Sequence, residues 1–68
     1  MKDKEKLKHL LEHWIEHNAE HAEEFRQWAD KAKSLNNAAV HDEIQEAANL
    51  LQQANKALTK ASEKLGNS

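Results

Sequence analysis

Leu7, Leu11, Trp14, Asn18, His21, Phe25, Trp28, Ala32 and Leu35 recur at alternating steps of four and three. That spacing marks a helix face turned toward a partner, and few other folds can use it over such a length. Leu10, Ile15, Ala22 and Ala29 widen the stripe on its flanks. The chain contains no Pro and its single Gly is Gly66, so the punctuation that short strands need between them is missing. The sequence predicts an all-α protein. Asp3 is placed to cap a first helix, Glu5 lies in its first turn, and Lys31 and Lys33 suit the negative pole at its far end.

A second stripe runs through Val40, Ile44, Ala47, Leu51, Ala54, Leu58, Ala61 and Leu65, out of phase with the first. Carrying the first register forward would bury Asp42, Glu46, Asn49, Gln53 and Lys56, so the helix must break. The break falls at Ser34-Leu35-Asn36-Asn37, because Asn tolerates the left-handed conformation and also caps helix starts. A single continuous rod is the alternative, since Asn is a weaker breaker than Gly or Pro. The expected architecture is one domain over residues 1–68. It has helix 1 over about 3–34, a turn at about 35–37 and helix 2 over about 38–65. Helix 1 supplies bulk (Trp14, Phe25, Trp28) and helix 2 supplies Ala at 47, 48, 54, 57 and 61, so an antiparallel hairpin can interdigitate. Closure at Asn36-Asn37 sets Phe25 near Ala48, Asn18 near Asn55 and Trp14 near Leu58.

Two helices alone bury little surface, and domains this small are usually marginal. A second open face, expected to carry Leu10, Ile15, Ala22, Leu50 and Ala57, therefore predicts a homodimer forming a four-helix bundle.

The chain carries five His, four of them in a repeat of His-x-x-Glu that begins at His9, His13, His17 and His21 and ends at Glu24. Positions four apart advance about 40° around a helix. The series thus winds from solvent at His9 and His13, through the flank at His17, to the apolar stripe at His21 beside Asn18. Buried imidazoles or amides without partners cost about 1–3 kcal/mol each. Asn55 can meet Asn18 across the hairpin, and the Asn18–Asn55 layer is assigned the setting of register. Helix 2 offers no acid at the level of His17 and His21.

Two His at i, i+4 chelate a divalent transition ion on one helix face, and a Glu three residues on can add a third ligand. His17, His21 and Glu24 have that spacing, with His13 and His17 as a more exposed pair. Zn, Ni, Cu and Co all accept such ligands. Because helix 2 adds no acid, a fully ligated site would need a second chain, and occupancy would couple to dimerisation. Two metal-free readings stand beside this one. In the first, the His/Asn layer only sets register in an interaction module that docks a protein partner. In the second, the bundle responds to pH because buried imidazoles resist charging. Protonating all five His would add five charges to a net −2, giving +3. His41, at the start of helix 2, is expected to lie in solvent.

An enzyme is not expected. His-x-x-Glu-His at residues 9–13, 13–17 and 17–21 matches the inverted zinc-peptidase signature, but a four-residue His/Glu repeat produces that string automatically. A hairpin of 68 residues has no room for a substrate cleft. The ferritin-like di-iron pattern needs the reverse order, Glu-x-x-His, with acids on facing helices. With no Cys there are no disulfides or thiolate sites. Ten basic against twelve acidic residues argue against nucleic-acid partners, and 32% charged residues argue against a membrane span. The run Lys2-Asp3-Lys4-Glu5-Lys6-Leu7-Lys8 mixes both signs and reads as a solvated face. A cytoplasmic location is expected from the absence of a signal peptide.

The segment His13-Trp14-Ile15-Glu16-His17-Asn18, followed by Glu20-His21-Ala22-Glu23-Glu24-Phe25 and Trp28-Ala29, resembles small prokaryotic helical-hairpin proteins carrying HWIEHN…EHAEEF…WA. Ala47 to Leu58 is similar to their second helix. The resemblance implies a natural two-helix domain and no particular activity.

Overall fold

A computed structural model of the protein describes residues 2–66. Helix α1 spans Lys2–Ser34 and helix α2 spans Ala38–Gly66, packed against each other as a hairpin. The pair measures 53 × 15 × 11 Å between Cα extremes, one helix thick. Among the described residues no helix is long and apolar enough to cross a membrane.

The bend is built by the two asparagines. Asn36 takes φ 61°, the left-handed conformation that Asn adopts more cheaply than most residues. The Asn37 amide then donates to the Ala32 carbonyl at 3.0 Å and the Asn36 amide to the Lys33 carbonyl at 3.0 Å. This paired closure satisfies carbonyls that a helix end would otherwise leave orphaned. Asn37 opens α2 as its cap, its Oδ1 accepting from the Val40 amide at 3.3 Å and its carbonyl from the His41 amide at 3.0 Å.

The seam between the helices keeps one edge of the expected stripe and exchanges the other. On α1 it runs through Leu11, Ile15, Asn18, Ala22, Ala29 and Ala32, so Ile15, Ala22 and Ala29 take the places expected for Trp14, His21 and Trp28. On α2 the positions Ile44, Ala47, Leu51, Leu58 and Leu65 keep at least partial burial, while His41, Asn55 and Ser62 replace Val40, Ala54 and Ala61, and Ala48 joins them as the buried residue of the helix. Ala29 and Ala48 are both 0% exposed, and no large side chain is fully buried among the described residues. The cause is steric. Alanines let two backbones approach closely, whereas an indole between them would hold the pair apart. Exchanging that edge turns the seam by about 50°, half of one residue's step, and leaves Trp14 and Trp28 outside it.

The residues displaced from the seam join Leu10 and Leu50, expected outside it, on one side. Leu7, Leu10, Trp14 and Trp28 of α1, with Val40 and Leu50 of α2, are exposed large apolar residues that share this side by helical phase. Ile15 and Ala22, expected on the open face, belong instead to the seam. The opposite side is polar. There the Arg26 guanidinium spans α2, donating to Gln45 Oε1 at 3.1 Å, Asn49 Oδ1 at 3.1 Å and Gln52 Oε1 at 2.6 Å.

Asn55 contributes one bond across the seam, its Nδ2 donating to the Ile15 carbonyl at 2.9 Å, while its Oδ1 is buried without a partner. Asn55→Asp keeps the shape but replaces that donor with a second acceptor facing a carbonyl. Thermal melts at neutral pH are expected to show about 1–3 kcal/mol less stability. Protonating the new carboxyl restores an O–H donor, so the deficit grows as pH rises through the carboxyl range and shrinks in acid. An Asn55→Asp variant as stable as the parent at neutral pH would show that the bond contributes nothing.

Candidate functional site

The histidine series forms a ladder on α1. The His13 and His17 ring centroids are 5.5 Å apart, and those of His17 and His21 are 4.4 Å apart at 60° to each other. His21 is followed by Phe25, with centroids 6.2 Å apart. Side chains four apart on a helix lie one above the other, which is why the repeat stacks its rings.

The His21 ring is exposed, contrary to the inward position expected for it. The seam at its level is occupied by Ala22, one residue on, so rotation of the helix carries the imidazole to the rim of the apolar side. The pH-responsive reading loses the burial on which it depended. Asn18 remains half-buried, and the bond that Asn55 donates across the seam goes to the Ile15 carbonyl. Together His13, Trp14, His17, Asn18 and Leu58 line a shallow concavity of about 400 Å³ near the middle of the hairpin.

The other acids and histidines separate from this group. His9 Nδ1 lies 3.9 Å from Glu12 Oε2, both well exposed. Glu24 lines a different groove. Among the described residues no three His, Asp or Glu side chains gather closely enough to hold a metal ion within one chain. His41, expected in solvent, is half-buried with Nδ1 2.8 Å from the Ala29 carbonyl. A carbonyl only accepts, so Nδ1 must carry the hydrogen. His41 is thereby a tie between the start of α2 and the end of α1.

A second concavity lies at the turn end of the apolar side. Phe25 and Trp28 of α1 face Val40, Ile44 and Ala47 of α2 across about 560 Å³, with Glu24 and Glu43 at its edges. Periodicity alone assigns these residues to interior packing. The signal for two faces was present in the neighbouring apolar pairs Trp14-Ile15, Trp28-Ala29 and Ala47-Ala48. Arg26 carried no such signal, since its partners lie 19 to 26 positions away.

Comparison with protein families matches residues 7–65 to "Domain of unknown function (DUF8180)". The chain belongs to this family. The DUF8180 match takes in most of both helices and the whole turn, and with them the histidine ladder and the apolar groove. Comparison with curated proteins and with solved structures returned no match.

Proposed function

We propose that this hairpin is a non-enzymatic interaction module that acts by pairing with a second copy through its apolar side, giving a four-helix bundle. The observation that carries the reading is the inversion of its packing: alanines fill the seam, while Trp14 and Trp28 stand 41% and 59% exposed.

Two magnitudes support a second copy as the occupant. The chain exposes 5425 Å². A compact monomer of its 7.8 kDa mass would expose about 4,400 Å². The broad face of the whole hairpin, to which the apolar side belongs, measures 53 Å by 15 Å between Cα extremes. That is on the order of 800 Å², about what each partner contributes to a stable interface. An isologous pairing also places the apolar groove of each hairpin against the Trp-bearing face of its mate. Sedimentation equilibrium over a micromolar concentration series, with chelator present, tests this. The expected species is a dimer, and a monomer throughout would end the proposal.

A further inference from the structure

We infer that His17 and His21 form half of a divalent transition-metal site, completed by the same two residues of a second copy; this rests on the pairing proposed above. Of the five histidines, His9 pairs with Glu12 and His41 is tied to Ala29. His13, His17 and His21 form the stacked series, and the closest pair is His17 with His21 at 4.4 Å. Zinc–imidazole bonds are about 2.0–2.1 Å long, so small χ rotations suffice to aim one nitrogen from each ring at a common ion. A single chain stops at two such ligands, since no third His, Asp or Glu joins them among the described residues.

The position of the pair supplies the rest. His17 and His21 flank the midpoint of α1, which runs from Lys2 to Ser34, and they border the apolar side. When two copies of a rod stack antiparallel about a two-fold axis perpendicular to their length, α1 lies on α1 and the residues at mid-length meet their own counterparts at the axis. Two imidazoles from each chain then provide four nitrogens, a set that matches the tetrahedral preference of Zn(II) and also accepts Ni(II), Cu(II) or Co(II). The ion would bind the paired form, with four nitrogens, more tightly than a single chain with two, and would therefore tighten pairing. Imidazole must be neutral to ligate, so protons compete and acid weakens the effect.

The test uses the full chain after chelator treatment, with zinc chloride as the probe, followed by calorimetry and sedimentation. The expected result is one ion per two chains and a dimer dissociation constant lowered at least about tenfold. His17→Ala and His21→Ala should each weaken zinc binding by at least about tenfold, while His13→Ala leaves zinc binding unchanged. Zinc bound at one ion per chain, or binding unaffected by His21→Ala, overturns the metal inference while a persistent metal-free dimer keeps the pairing. A chain monomeric with and without zinc overturns both. A chain that pairs only when zinc is present supports the shared site and removes the apolar side as a sufficient cause of pairing.

Discussion

Replacing Trp28 by Glu is expected to leave the hairpin folded and to abolish the self-association proposed for it. Trp28 is 59% exposed and lies outside the seam, so the helices do not depend on it. In the paired form it would be an aromatic anchor on the edge of the groove formed with Phe25, Val40 and Ile44. Truncating such anchors costs about 2 kcal/mol or more, which is at least about thirtyfold in dissociation constant. A carboxylate at the same point adds the cost of burying an unpaired charge. Sedimentation equilibrium reads the effect, and far-UV circular dichroism confirms that helix content is kept. Unchanged pairing in this variant would mean that the two chains meet elsewhere.

Ala48→Leu should act in the opposite place, on the hairpin itself. Ala48 is 0% exposed in a seam whose closeness depends on methyl-sized side chains. A larger group there must push α1 and α2 apart or force strained rotamers, at about 1–3 kcal/mol. In a domain of this size each kcal/mol moves the melting temperature by about 4–8 °C, so a clear drop is expected. Ala54→Leu is the control. Ala54 is exposed, and the same substitution there should fall within about 0.5 kcal/mol of the parent. Equal effects at 48 and 54 would show that the close alanine contact does not govern the pairing of the helices.

The division into two helices was legible because the phase of the apolar repeat changes at one place and turn-forming asparagines stand there. The capping bonds of Asn36 and Asn37 follow from the same residues. The rotation of the helices was not legible. Where apolar residues come in adjacent pairs, as at Trp14-Ile15 and Trp28-Ala29, two stripes that share Leu11, Asn18 and Ala32 but differ in their second edge compete. Periodicity cannot rank them. Bulk suggested that the tryptophans face inward, but with only two helices present, closeness favours alanine. That single rotation also decides the histidines. It moves His21 outward and leaves His17 and His21 as neighbours on a rim. The burial of His41 and the reach of Arg26 depend on tertiary position and left no trace in local spacing.

The three-residue connection between Ser34 and Ala38 also bears on how the chain reaches its native state. Contacts between the two helices can form outward from this one bend, each closing a loop only slightly longer than the last. Ordering costs are then met in small instalments. Such zipper-like chains fold in microseconds to milliseconds, well ahead of sheet proteins of equal length, so encounter between molecules would be the slower event in assembly.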